Sequence, residues 1–128
     1  MKKIIIFIMC IIFIFSFSSC SKVALAPDDS GILNFIYGEQ NINTEVTADD
    51  LETIKEIFNN KILYSDNPSC GFSENISVII GNKTFCFACD GCKIIYLLEE
   101  NKYFSLSEKE YETLNQVLFS YGVYFPCI

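Results

Sequence analysis

Three cysteines recur at three-residue intervals in a stretch where an Asp-Gly pair separates two hydrophobic runs. Residues 85–93 read Phe-Cys-Phe-Ala-Cys-Asp-Gly-Cys-Lys. An Asp-Gly pair in this setting is typical of a tight two-residue hairpin turn, because both central residues of that turn have positive φ. We therefore expect Cys89 and Cys92 to face each other across a turn at Asp90-Gly91. There they would lie close enough to form a disulfide or to bind one metal ion.

Alternating apolar residues and turn signals predict several further strands in the chain. Gly81-Asn82 is a second hairpin signal, and the Glu-Glu-Asn-Lys run at 99–102 marks a third turn. The predicted strands cover residues 32–37, 42–46, 72–80, 83–88, 93–98 and 103–106. An antiparallel meander is the simplest way to connect strands separated by such short turns.

Two amphipathic helices are predicted from their caps and their 3.6-residue periodicity. Thr47 is a typical N-cap for a helix from Ala48 to about Asn59. Its polar face carries Glu52, Lys55 and Glu56, and we interpret this face as solvent-exposed. Ser107 and Glu110 form the capping box of the second helix, which we expect to end near Gly122.

The sequence thus predicts an α+β fold, with a small antiparallel β-sheet of four or more strands and two amphipathic helices packed on one face. The order of elements along the chain is β-β-α-β-β-β-β-α. The predicted core is Phe35, Leu51, Ile54, Phe58, Val78, Phe85, Phe87, Ile95, Leu114 and Leu118.

The first 21 residues have the pattern of an export signal. Two lysines follow Met1, and a mostly apolar run from Ile4 to Phe17 is shorter than the roughly 20 residues that a transmembrane helix needs. The run ends at Phe-Ser-Ser-Cys-Ser over residues 17–21, which resembles the lipobox of bacterial lipoproteins. The resemblance covers residues 1–21 only. An ordinary secretory signal, or an uncleaved anchor, with a cysteine at its end by chance is the alternative.

The lipobox resemblance implies that Cys20 becomes the first residue of the mature protein and carries a diacylglyceryl group. Palmitate-type acyl chains would then hold the protein on a bacterial cell membrane, facing the exterior or the periplasm. The implied organisation is a signal peptide at 1–19, a lipidated cysteine and flexible tether at 20–31, and one domain at 32–128. The tether is assigned because Pro27, Asp28, Asp29, Ser30 and Gly31 show little periodicity.

The composition excludes several classes of function. The chain has no His, and all nine of its basic residues are Lys. It therefore lacks an imidazole base, a mixed Cys/His metal site and the bidentate clamp that Arg provides for phosphate. The net charge is −7, and removal of Lys2 and Lys3 with the signal peptide leaves −9. Such a surface repels nucleic acid and anionic lipid headgroups, so neither is expected as a partner. With no base beside any nucleophile, we expect a protein that is not an enzyme and needs no cofactor.

Five cysteines remain in the mature chain besides Cys20, namely Cys70, Cys86, Cys89, Cys92 and Cys127. In an exported domain of this size we favour disulfides between the hairpin cysteines and the cysteines at 70 or 127. The number is odd, so at least one thiol stays unpaired, and the sequence alone leaves the connectivity open. Less favoured alternatives are a four-cysteine zinc site, a thioredoxin-like redox pair and an iron–sulfur cluster.

The function that the sequence favours is a lipid-anchored, non-enzymatic binding module whose partners are the membrane, through the lipid on Cys20, and another extracytoplasmic protein. Tyr96 and Tyr103 are candidate contact residues on an exposed sheet face, because aromatic side chains dominate protein contacts. They could instead simply cover the sheet. The alternative function is a cysteine-based metal-binding or thiol-redox lipoprotein acting through Cys86, Cys89 and Cys92.

Overall fold

A computed structural model describes residues 21–88 and 90–124. Its elements follow the predicted order. The strands are β1 (Gly31–Tyr37), β2 (Gln40–Glu45), β3 (Phe72–Ile80), β4 (Lys83–Ala88), β5 (Ile94–Leu97) and β6 (Lys102–Ser105), and the helices are α1 (Ala48–Phe58) and α2 (Glu108–Ser120). The α+β class with an antiparallel sheet and two helices is confirmed.

The six strands form one sheet in the order β2-β1-β3-β4-β5-β6, and every neighbouring pair is antiparallel. Only β3 to β6 form the expected meander. Because β1 lies between β2 and β3, the chain crosses over β1 after β2, and α1 is part of that crossover. This connection places α1 on one face of the sheet.

Both helices begin at the predicted caps. The Thr47 hydroxyl accepts a hydrogen bond from the Asp50 amide, and Ser107 and Glu110 form the complete capping box. Gly122, with φ of 84°, follows the last turn of α2, as a left-handed helix C-terminus requires. The Tyr121 hydroxyl lies 2.5 Å from an Asp50 carboxylate oxygen, so the end of α2 is tied to the start of α1.

The core lies between the sheet and the two helices. All ten residues predicted for it are buried. The Phe58 ring of α1 packs against Phe85 and Phe104 of the sheet, with ring centroids 4.9 and 5.2 Å away. Ring contacts of this kind add to the free energy gained by burial, so α1 is firmly seated on the sheet.

The segment before β1 is the main departure from the prediction. Residues 21–30 do not form a flexible tether, because Val23 is 1% exposed within the core. Its amide donates to the Lys61 carbonyl at 3.0 Å, and its carbonyl accepts from the Asn60 amide at 2.9 Å. The Lys55 ammonium group donates to the carbonyls of Ala26, Pro27 and Asp29. Lys55 therefore holds the segment against α1 and is not a purely solvent-facing residue.

The chain continues into the fold beyond α2. Val123 is 1% exposed and belongs to the core, whereas Tyr124 is 60% exposed. The apolar sequence of residues 123–128 predicts that this tail docks on the domain, but its part beyond Tyr124, including Cys127, falls outside the described residues. The same holds for the predicted signal peptide at 1–19, for Cys20 and for Cys89.

Candidate functional site

Cys70 and Cys92 form a disulfide, and their Cα atoms are 6.3 Å apart. Cys70 lies at the end of the long connection between α1 and β3, and Cys92 lies between β4 and β5. The disulfide thus ties an irregular connection to the hairpin that carries the other cysteines. This is one of the pairings that the sequence leaves open.

The hairpin between β4 and β5 differs from the predicted two-residue turn. A turn made of Asp90 and Gly91 alone would place Cys86 opposite Ile95, but Cys86 lies opposite Tyr96. The regular strands stop at Ala88 and resume at Ile94, so five residues connect them. The physical reason lies in local bonding. The Asp90 carboxylate accepts a hydrogen bond from the Cys92 amide at 3.2 Å, Gly91 supplies a positive φ of 72°, and the Cys92 sulfur is bonded to Cys70.

One group of potential metal ligands lies at this hairpin. The sulfurs of Cys70 and Cys92 and a carboxylate oxygen of Asp90 are within 4.8 Å of one another. Zinc binds thiolates, and the two sulfurs are joined in the disulfide, so the oxidised protein offers only the carboxylate there. Three ligands become available together only after reduction.

Cys86 is the one free cysteine among the described residues, and it is 1% exposed. It lies in β4 opposite Ser77 of β3 and Tyr96 of β5, on the sheet face turned away from the helices. Burial, with smaller contributions from Glu74 and Glu99, raises the pKa of its thiol to about 11. A thiol with this pKa stays protonated at neutral pH and is a poor nucleophile or metal ligand.

Aromatic rings cover the β5–β6 half of this second sheet face. The cluster consists of Tyr64, Phe72, Tyr96 and Tyr103, with neighbouring ring centroids between 5.0 and 6.1 Å apart. The Tyr103 hydroxyl donates to Asn67 at 3.1 Å, and only 8% of Tyr103 is exposed. Tyr103 therefore covers the sheet, which was the alternative to its being a contact residue, while Tyr96 stays partly exposed.

The β1 half of the same face carries exposed apolar side chains. Ile32 is 40% exposed and Ile36 is 44% exposed. On β1, Ile32 lies two residues before Asn34 and Ile36 lies two residues after it. The side chains of all three residues therefore lie on the same face of the strand. Asn34 itself bonds the Glu74 carbonyl at 3.2 Å. We call this surface the open isoleucine face. This face was not predicted from the sequence, although the spacing of the two isoleucines along β1 could have indicated it.

A shallow cavity of about 430 Å³ lies beside α1, where the segment before β1 crosses the helix. Its lining includes Asp29, Leu51 and Lys55. The lining also includes the carboxylate of Glu52. The Lys55 ammonium group donates hydrogen bonds to three backbone carbonyls.

Comparison of the chain with protein-family models, with curated proteins and with solved structures gives no match. The site must therefore be interpreted from its own residues. None of the helices in the described part of the chain is both long and apolar enough to cross a membrane.

Proposed function

We propose that this protein is a lipid-anchored, extracytoplasmic binding module without enzymatic activity, held on a bacterial membrane by acyl groups on Cys20. The open isoleucine face is the observation that carries the binding role. Both helices pack on the other side of the sheet, so neither helix shields Ile32 or Ile36. Exposed apolar side chains on a rigid sheet are suited to protein contacts, because their burial on binding is favourable and the strand loses little conformational entropy.

The anchor is supported by the sequence of residues 1–21. A basic start, a short apolar run and small residues before a cysteine resemble the lipobox signal of bacterial lipoproteins, with Phe17 in place of the usual Leu and Ser19 in place of the usual Gly or Ala. Two or three acyl chains give stable attachment, whereas one chain is released readily. Labelling with radioactive palmitate should mark the wild-type protein, and Cys20→Ala should abolish the label. A labelled C20A variant would contradict the anchor.

The binding role is tested by photo-crosslinking from two exposed positions. A photoreactive amino acid is placed at Ile36, on the open isoleucine face, or at Phe119, which is 51% exposed on α2. We expect specific protein adducts from position 36 and not from position 119. Equal adducts from both positions, or none from position 36 in intact cells, would contradict the proposed face.

A metal-binding or thiol-redox function has less support from the described cysteines. Cys70 and Cys92 are oxidised, and Cys86 is buried with a raised pKa. Mass spectrometry with and without alkylation, together with a metal assay, separates the two functions. Stoichiometric zinc with free thiols at Cys70 and Cys92 would contradict the binding-module proposal and favour a metal-binding function.

A further inference from the structure

The point at which the chain enters the described fold is fixed. The Ser21 carbonyl accepts a hydrogen bond from the Leu63 amide at 2.9 Å, and its hydroxyl accepts one from the Lys102 ammonium group at 3.1 Å. Lys22 and Ile62 form an antiparallel bridge. The Val23 amide donates to the Lys61 carbonyl, and the Val23 carbonyl accepts from the Asn60 amide. Residues 21–23 and 61–63 together make a short two-stranded ladder, which we call the entry ladder.

The entry ladder leaves little distance between the domain and the preceding chain. Consecutive Cα atoms are about 3.8 Å apart, so this distance joins the Cα atoms of Cys20 and Ser21. The apolar run that ends at Phe17 is four residues from Ser21, which is at most about 14 Å of extended chain. Any anchor in residues 1–20 therefore brings the entry ladder close to the lipid surface.

The two sides of the entry ladder differ in chemistry. Val23 and Leu63 are buried in the core, whereas the bridge partners Lys22 and Ile62 are exposed. Ile62, at 59%, is more exposed than Ile32 or Ile36. Directly opposite residues of an antiparallel pair share a face, so Lys22 and Ile62 form one outward surface.

Positive charge is concentrated at the same place. The mature chain has seven lysines and an excess of acids. Three of the seven belong to the entry ladder or touch it, namely Lys22, Lys61 and Lys102. Lys61 is paired with Glu110, which leaves Lys22 beside the exposed isoleucine. An apolar side chain beside a lysine suits the boundary between lipid headgroups and acyl chains, where the lysine keeps its ammonium group in water. The attraction of Lys22 to anionic lipids is local, and it acts against the negative net charge of the whole domain.

We propose that the outward side of the entry ladder is the membrane-contacting surface of the domain, with the Ile62 side chain at the lipid interface and Lys22 among the headgroups. This inference rests on the proposed lipid anchor and adds a defined orientation to it. The occupant of the surface is the bilayer that holds the anchor. The entry ladder lies beside β6, because Lys102 of β6 contacts Ser21 and Tyr64 pairs with Tyr103. The open isoleucine face lies on β1, four strands from β6, which is roughly 19 Å at about 4.8 Å per strand, so it stays accessible to a partner.

The test uses the absence of Trp from the chain, so that a single introduced tryptophan is the only one present. Full-length protein carrying Ile62→Trp or Ile36→Trp is purified with its native anchor and reconstituted into vesicles of phosphatidylethanolamine, phosphatidylglycerol and a brominated phosphatidylcholine. We expect the tryptophan fluorescence of I62W to lose most of its intensity and shift to the blue. The fluorescence of I36W, the control on the exposed isoleucine of β1, should match the value in vesicles without bromine.

The outcomes separate the orientation from the anchor. Flotation with the vesicles, together with the acyl mass on Cys20, tests the anchor by itself. If the protein floats but the I62W variant is not quenched, or both variants are quenched equally, the proposed orientation is wrong. If the protein does not float, the anchor fails and the orientation fails with it. If the I62W variant does not fold, amide hydrogen exchange of residues 61–63 in the wild-type protein tests the orientation. Membrane contact should slow this exchange relative to detergent-released protein, and equal rates would contradict the orientation.

Discussion

The Tyr121 hydroxyl, at the end of α2, lies 2.5 Å from an Asp50 carboxylate oxygen in the first turn of α1. The same hydroxyl accepts a hydrogen bond from the Thr47 amide at 3.0 Å. One phenol oxygen thus joins two helices that are far apart in the sequence. It completes the N-cap of α1 from outside the helix.

Removing this hydroxyl should destabilise the domain. Tyr121→Phe leaves the Thr47 amide without its partner and removes a charge-assisted bond to Asp50, so we expect a loss of about 1–3 kcal/mol in the free energy of unfolding. Urea unfolding followed by far-UV circular dichroism measures it. Tyr124→Phe, at a tyrosine that is 60% exposed, is the matched control and should be neutral. An equal effect of both substitutions would argue against the bridge.

The Cys70–Cys92 disulfide should contribute strongly to stability. It closes a loop with a sequence separation of 22, and the chain-entropy relation gives about 3 kcal/mol for a loop of this size. We expect Cys70→Ser, Cys92→Ser and the double variant to lose about the same free energy of unfolding, because all three remove the same bond. Losses that add in the double variant, or a peptide map joining Cys70 to Cys89, would contradict the pairing.

Cys86 should resist alkylation in the native protein. With a pKa of about 11, only about one thiol in a thousand is ionised at pH 8, and the side chain is 1% exposed. In a variant with Cys89 and Cys127 changed to Ser, iodoacetamide should label Cys86 in urea and leave it unlabelled in buffer. Rapid native labelling would show that the thiol is accessible.

The same raised pKa predicts a loss of stability at alkaline pH. The unfolded chain releases the Cys86 proton near pH 8.5, whereas the folded chain releases it near pH 11. Each rise in pH between these values therefore stabilises the unfolded state and lowers the free energy of unfolding. Cys86→Ala should flatten the fall in the free energy of unfolding between about pH 9 and 10.5. If the free energy of unfolding of the C86A variant fell with pH as steeply as that of the wild type, Cys86 would not be the cause of the alkaline loss of stability.

Val23 provides a test of the docked N-terminal segment. Val23→Ala removes two buried methyl groups, and we expect a cost of about 1–3 kcal/mol. Ala24→Ser, at the exposed neighbouring position, is the control and should be nearly neutral. A free tether would make both substitutions silent.

Glu110 should make the domain sensitive to acid. Burial alone would raise the pKa of its carboxyl group, but hydrogen bonds from the Lys61 side chain and the Ser107 amide outweigh burial and lower it. The stabilisation is therefore complete above the unfolded pKa of about 4.3 and is lost as the pH falls through the lower folded value. Glu110→Gln should make the pH dependence of unfolding shallower below about pH 4. Glu112→Gln, on an exposed acid of the same helix, is the matched control, and an equal effect of the two substitutions would argue against the role of Glu110.

Local sequence patterns predicted most of the elements. β3 and β4 match their predicted bounds because Gly81-Asn82 marks a turn between two clear alternations. The position of β1 between β2 and β3 could not be predicted, because alternation fixes which face of a strand is buried but not which strand lies beside it.

The candidate site was predicted less well, because it depends on contacts between distant residues. The choice of Cys70 as the partner of Cys92 required the three-dimensional positions of both. The segment at 21–30 was interpreted as a tether because of its Pro and Asp residues and the Gly that follows them. The apolar residues Val23 and Leu25, on alternate positions, could have indicated packing.

The firm seating of Ser21 has a consequence for how an anchored molecule would meet its partners. Without a flexible linker after Ser21, an anchored domain would not sample the volume above the membrane, and its encounters would be confined to a layer about one domain thick. A partner in the same membrane would be found by lateral diffusion in two dimensions. A partner free in the surrounding fluid would have to approach the lipid surface itself.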